Sequence, residues 1–225
     1  MNQTAALLHI QLLDTQKSFV IFWSILLAFL TVAFIVGAIF SPISIYFTTS
    51  FPGYIWASIT SYILLKDDFP YFIHLGATRI GFVLNSSFYL MALALLMAFL
   101  QASLYFSLLA LAATSSAEIN IAVIPSLLGL EPTFLNILWT DFTLMVFLML
   151  SLFFIASLNY RFGKSASYLF FAFAAFLFLI PASREFIFTF LIEMTTSLLQ
   201  FAWLLLVGIM FAILSAITLS RASLK

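Results

Sequence analysis

The chain has 225 residues, of which 65% are hydrophobic and 7% are charged, whereas about a quarter of the residues in a soluble domain are charged. Together with a mean hydropathy of +1.22, this composition indicates an integral membrane protein and excludes a soluble enzyme fold. The formal net charge of zero gives no reason to expect nucleic-acid binding, and the absence of cysteine excludes a disulfide scaffold and cysteine-ligated metals.

The predicted fold is all-α: a single transmembrane domain over residues 1–225 with six membrane-spanning helices. Residues 1–18 are predicted to be a cytoplasmic or interfacial lead-in without a cleaved signal peptide, since they lack a basic n-region and a small-residue cleavage site. Whether residues 4–16 form an interfacial helix is left open, because His9 and Gln16 fall among the apolar positions. Long, weakly charged runs predict the spans at 19–40, 43–65, 82–112, 134–158, 166–180 and 194–219.

Three features qualify these spans. Pro52 and Gly53 predict that the second span is kinked or begins late. At 31 residues, the run 82–112 is longer than the hydrocarbon thickness, so it must tilt or project. The segment 181–193 contains proline and charged residues, and it is predicted to be interfacial or partly re-entrant.

The basic residues predict the orientation. With the N-terminus inside, the cytoplasmic side carries seven of the eight basic residues and the opposite side carries only Arg184. This distribution favours an even number of spans with both termini in the cytoplasm. The cytoplasmic seven are Lys17, Lys66, Arg79, Arg161, Lys164, Arg221 and Lys225.

The connection between the second and third predicted spans, residues 66–81, carries several charges between long apolar runs. An aspartate cap at its start and Gly76 at its end predict a short helix from Asp68 to Leu75. Phe69, Phe72 and Ile73 would form one apolar face of this helix, suited to a groove on a soluble partner. The alternative is an ordinary interfacial loop helix.

Two short motifs resemble one family. Phe69-Pro70, followed by His-Leu-Gly-Ala-Thr-Arg at 74–79 and an apolar run, resembles the cytoplasmic connection after the second span of bacterial ABC transporter permeases of the type-2 exporter class. Ala77 stands where that family usually has valine. Tyr-Arg-Phe-Gly-Lys at 160–164 is similar to the link between the family's fourth and fifth spans. The resemblance covers the layout of the whole chain but only about twenty residues in motif.

The resemblance implies the permease subunit of an exporter in the bacterial plasma membrane, with a peptide, an antibiotic or a lipid-like molecule as substrate. Its expected partners are membrane lipid, two copies of an ABC ATPase subunit that carry ATP and Mg, and a second permease, identical or paralogous. The helix after the second span would be the coupling helix, with contacts from Asp68, Phe69, Tyr71, Phe72, Ile73, His74 and Arg79. A second cytoplasmic contact would involve Arg161, Phe162 and Lys164.

The chain itself is not expected to bind ATP or any other cofactor, or to be an enzyme. Residues 163–165 look like the end of a P-loop, but Leu158 occupies the position of the required glycine. His9 and His74 are the only histidines and lie in separate segments, so neither a metal site nor a catalytic group is predicted.

Asp141 is an isolated carboxylate inside a predicted span, and an ionisable residue there is by default a candidate functional residue. The alternatives are that Asp141 lies at a shallow depth near the outer interface, or that it forms an ion pair with Arg184. Candidate pathway residues are Gln101, Asp141, Thr196 and Gln200, although interhelical hydrogen bonds are an alternative role for such side chains. Gly208, Ala212 and Ala216 predict a close helix contact, either within the bundle or with a second permease. The alternative functions are a stand-alone secondary transporter or channel and a membrane anchor that transports nothing.

Overall fold

The computed structural model describes residues 3–39, 45–114, 119–194 and 198–222, and these are almost entirely helical. The helices are α1 (Gln3–Ile39), α2 (Ser50–His74), α3 (Arg79–Thr114), α4 (Ile124–Leu127), α5 (Phe134–Phe162), α6 (Lys164–Leu179), α7 (Pro181–Met194) and α8 (Ala202–Ser220). A 3₁₀ turn, Leu198–Phe201, leads into α8. Two short strands, β1 (Ile45–Thr48) and β2 (Ile119–Ala122), pair in parallel.

The membrane assignment is confirmed in its general form. Within the described ranges, four helical segments are long and apolar enough to cross a bilayer, namely 7–37, 79–114, 134–162 and 198–220. Helices α6 and α7 meet at a bend of 91°, and the pair is either a fifth, broken crossing or a re-entrant loop. Six spans are not confirmed, because α2 is not among these candidates. Its sequence mixes serine, threonine, tyrosine and tryptophan with its apolar residues.

The N-terminal lead-in is not separate from the first span. Residues 3–39 form one helix of about 55 Å at about 1.5 Å per residue, which exceeds the ~30 Å hydrocarbon core. The side chain of Gln11 is fully buried, and its Nε2 donates to Ser86 Oγ at 2.7 Å. The Tyr89 hydroxyl donates to the Gln11 carbonyl at 3.2 Å. These contacts hold the start of α1 against α3, and the helix continues without a break past residue 18.

Helix α2 replaces two predicted elements. Span 43–65 was expected to be followed by a separate helix from Asp68 to Leu75, whereas the chain forms β1 and then one helix, Ser50–His74. Residues 43 and 44 lie outside the described ranges. The late start is confirmed, and Pro52 and Gly53 lie in the first turn rather than at a kink. No separate coupling helix is found, because the backbone bonding of α2 continues past Lys66 to His74.

The predicted end of this helix at Gly76 is confirmed, whereas its predicted start at Asp68 is not. Gly76 has φ +85°, the left-handed conformation that ends a helix at low steric cost for glycine. Thr78 Oγ1 then accepts a hydrogen bond from the backbone N–H of Gly81 at 3.1 Å, which caps the first turn of α3.

Helix α5 is the centre of the bundle and packs against α2, α3 and α8. Gly208 allows α8 to approach closely: a Cβ built there would lie 3.4 Å from Leu150 Cδ1 and 3.4 Å from the Cα of Phe147 on α5. At Gly208, therefore, the small-residue face of α8 is used within the bundle, which is one of its two predicted roles.

Candidate functional site

The predicted docking face points into the protein. Phe69 and Phe72 are 1% and 3% exposed, and Ile73 packs against the same core. The ring of Phe69 lies edge-on to Phe82 and Tyr160, with centroids 5.3 and 4.9 Å away. Phe72 also lies against Phe82, at 5.9 Å. These two phenylalanines therefore join α2 to α3 and α5 rather than forming an exposed face for a partner.

Other residues of the same segment are exposed. The tip, defined here as Tyr71, His74 and Leu75, ends α2 and faces outward, with Tyr71 53% and Leu75 60% exposed. Asp68 is half-buried on the preceding turn. Burial, followed by the nearby carboxylates of Asp14 and Asp67, raises the pKa of Asp68 to about 7.

The two arginines assigned to partner contacts both bind the C-terminus of α8. Arg79 Nη1 donates to the carbonyl of Ser220 at 2.8 Å, and Arg161 Nη1 donates to the carbonyl of Thr218 at 3.2 Å. The last carbonyls of a helix lack intrahelical partners and carry partial negative charge, so cations there stabilise the helix end. These two hydrogen bonds join the start of α3 and the end of α5 to the end of α8.

The remaining residues of the second predicted contact are accessible. Phe162 is 57% exposed, and the guanidinium of Arg161 lies 4.6 Å from its ring centroid. Gly163, with φ +83°, separates α5 from α6, and Lys164 is exposed at the first position of α6. Sequence reasoning missed the role of the arginines because their partners lie 57 and 141 residues away.

Asp141 lies at the centre of a polar cluster. Its side chain is 0% exposed; Oδ2 accepts from Ser50 Oγ at 2.9 Å and Oδ1 accepts from the Tyr54 hydroxyl at 2.5 Å. Arg184 is exposed on α7, and within the described ranges the only ion pair is Lys66–Asp67. In the described part of the chain, Asp141 therefore forms no pair with Arg184.

Gln101 reaches the same cluster from α3. Its Nε2 donates a long hydrogen bond, 3.5 Å, to the carbonyl of Ser50, and the absence of a side chain at Gly53 leaves room for it, because a Cβ there would collide with Nε2. Gln101 Oε1 and Thr49 Oγ1 are buried and have no hydrogen-bond partner among the described residues. We call Thr49, Ser50, Tyr54, Gln101 and Asp141 the oxygen cluster.

The other two candidate pathway residues are not brought to this cluster. Thr196 lies outside the described ranges. Gln200 is half-buried in the 3₁₀ turn before α8, and this turn is held to α5 by Trp139, whose Nε1 donates to the carbonyl of Leu198 at 2.8 Å. In the described part of the chain, no group of three or more histidine, cysteine or acidic side chains is placed to hold a metal ion.

Comparisons of the chain with protein-family models, curated proteins and solved structures find no match.

Proposed function

We propose that this chain is the membrane-spanning permease subunit of an ATP-driven exporter of the ABC type. In this proposal it lies in a bacterial plasma membrane with both termini in the cytoplasm. It works with two copies of a separate ATPase subunit, which bind ATP and Mg, and with a second permease, identical or paralogous. The cargo would be a peptide, an antibiotic or a lipid-like molecule. The two motif resemblances and the membrane-protein fold support this assignment.

The observation that carries the proposal is the mechanical connection of the tip. The exposed Tyr71, His74 and Leu75 lie at the end of a continuous helix that is bound to the core through Phe69. Only four residues separate the end of α2 from Arg79, which is bonded to the end of α8. A force applied to the tip would therefore reach α2, α3 and α8 together, as a rigid-body coupling requires.

The burial of Phe69 and Phe72 changes which residues are expected to contact the ATPase subunit. Since Phe69 and Phe72 are buried, docking would use Tyr71, His74 and Leu75, with Phe162 and Lys164 as the exposed part of a second contact. An ATPase groove would then receive the blunt end of α2 rather than one side of a separate helix.

The test is capture of an ATPase from the native membrane with a tagged chain. We expect an ATP-hydrolysing subunit to co-purify, and Tyr71→Asp or Leu75→Asp to abolish its capture. The matched control is Leu127→Asp. Leu127 is 69% exposed on α4, which connects the end of α3 to the start of α5, whereas the tip lies at the opposite end of α3. Capture should be unchanged in this variant.

The side of the membrane on which the tip lies provides a second test of this function. The chain has no cysteine, so a single His74→Cys substitution provides a unique label. An impermeant maleimide should react only after the cells are opened. Labelling in intact cells, or wild-type membranes from which no ATPase is captured, would exclude this function.

A stand-alone cation-coupled carrier is the second candidate function, and the oxygen cluster favours it. An ionisable residue buried in a helix that is apolar enough to cross a membrane, as Asp141 is, commonly marks an ion, proton or substrate path. Uptake or release driven by an ion gradient in proteoliposomes without ATP would identify this class.

A further inference from the structure

The oxygen cluster contains a buried carboxyl group that forms no ion pair with any described basic residue. Asp141 is completely buried on α5, in a segment apolar enough to span the membrane, and its two hydrogen-bond partners, Ser50 and Tyr54, are both neutral hydroxyls. Transfer of an uncompensated carboxylate into a low-dielectric interior is strongly unfavourable. A bound cation would remove that penalty.

The neighbouring atoms are suitable ligands for such a cation. Gln101 Oε1 and Thr49 Oγ1 are buried and unpartnered, and their residues are each 1% exposed. The amide nitrogen of Gln101 donates to the carbonyl of Ser50, and Thr49 is the residue that precedes Ser50 in the chain. A carboxylate, an amide oxygen, hydroxyls and a backbone carbonyl form the all-oxygen set that hard cations prefer.

Charge and size select among the hard cations. A single carboxylate balances one positive charge, whereas a divalent ion would leave a net buried charge. The cluster is closely packed, since even a methyl group at Gly53 would collide with the Gln101 amide, and this favours a small ion. A proton would neutralise Asp141, but its single O–H would reach at most one of the two unpartnered oxygens.

We infer that the oxygen cluster is a sodium site, with Asp141, Gln101 Oε1 and the Thr49 and Ser50 oxygens as the ligands that tie α2, α3 and α5 together. This inference does not rest on the proposed function, because an ATP-driven permease does not require a coupling ion. Sodium here would stabilise the bundle in either kind of transporter.

The experiment measures the unfolding midpoint of the purified chain in nanodiscs, with NaCl, KCl or choline chloride at constant ionic strength. A ligand that binds only the folded state stabilises it in proportion to log concentration above its Kd. We expect the midpoint to rise with NaCl at pH 8 and to rise less with KCl. It should stay flat with choline chloride, and equilibrium dialysis with labelled sodium should give one ion per chain.

Two variants and one control locate the ion. Gln101→Leu removes a ligand without touching the hydrogen bonds of Asp141, so it should fold and lose the response to sodium. Asp141→Asn should lose it as well. Ser103→Ala should keep the full response, because the Ser103 hydroxyl, on the same helix as Gln101, donates only to the Phe99 carbonyl of its own helix.

Three results would overturn the inference. Equal midpoints in sodium and choline chloride would make the cluster a hydrogen-bonded brace without an ion. A midpoint that depends on pH but not on sodium would mean that Asp141 holds a proton. A full response in Gln101→Leu would place the ion elsewhere.

Discussion

The substitution Phe69→Ala tests whether Phe69 packs in the core of the bundle or docks against a soluble partner. The sequence places Phe69 on a face for a soluble partner, whereas in the fold its ring is 1% exposed between Phe82 and Tyr160. Truncating a buried phenylalanine to alanine costs about 3–5 kcal/mol, and in a chain of this length each kcal/mol shifts Tm by about 2–4 °C. We therefore expect Phe69→Ala to lower Tm by roughly 6–20 °C.

The assay is size-exclusion chromatography of the detergent-solubilised protein after heating, with the folded peak as the readout. Tyr71→Ala is the matched control, because it removes an aromatic ring that lies two residues away and is 53% exposed, with its centroid 5.4 Å from that of Phe72. Its Tm should change by at most about 4 °C. If Phe69→Ala melted as the wild type does while ATPase capture was lost, Phe69 would be a docking residue and the packing argument would fail.

Three further substitutions test the bundle. Gly208→Leu should lower Tm by the equivalent of about 1–3 kcal/mol, because its side chain would meet the α5 backbone, whereas Ile213→Phe, on the exposed side of α8, should have little effect. Asp68 has a pKa raised to about 7, so the folded protein holds this proton more tightly than the unfolded chain does. Stability should then fall as the pH rises from about 4 towards 7, and Asp68→Asn should flatten the dependence of Tm on pH over that window. Arg79→Met should cost about 1 kcal/mol and speed hydrogen exchange in the last turn of α8, because the bond to the Ser220 carbonyl is lost, and Arg79→Lys should restore part of the protection.

Hydropathy predicted the later helices well. The run 82–112 became α3 (Arg79–Thr114) and the run 134–158 became α5 (Phe134–Phe162), each within a few residues at both ends. The run 166–180 became α6 (Lys164–Leu179). Long uncharged runs form helices because only intrahelical bonding satisfies the backbone in lipid. The helix end predicted at Gly76 is also found, with the positive φ that glycine permits.

Hydropathy failed where a helix continues beyond an apolar run. A charged residue such as Lys66 marks the expected edge of the bilayer, but backbone hydrogen bonding does not stop there, so α2 runs on to His74. The same reasoning applies to α1, whose early polar residue Gln11 finds a buried partner in Ser86. That partner lies 75 residues away, and no local pattern predicts the pairing.

Two of the five residues of the oxygen cluster were predictable from the sequence, but the other three and the connections between them were not. Asp141 and Gln101 stand out as polar groups in apolar runs, and both prove to be buried. The hydroxyls that bind Asp141 come from residues 87 and 91 positions away, Tyr54 and Ser50. In the sequence these two resemble ordinary residues of a span. Only the packing of α2 on α5 gives them a shared role.

Helix α2 gives the tip and the oxygen cluster a common physical basis. Ser50, at its first position, binds the Asp141 carboxylate, while His74, at its last, belongs to the exposed tip. Twenty-five residues of continuous helix span about 37 Å at about 1.5 Å per residue, the thickness of a bilayer core with part of its interface. A rod of this kind cannot tilt at the tip without moving Ser50 and Tyr54 relative to α5. Any partner that displaces the tip must therefore work against the hydrogen bonds of Asp141, and, by thermodynamic reciprocity, whatever strengthens the cluster must change the affinity of the tip for that partner.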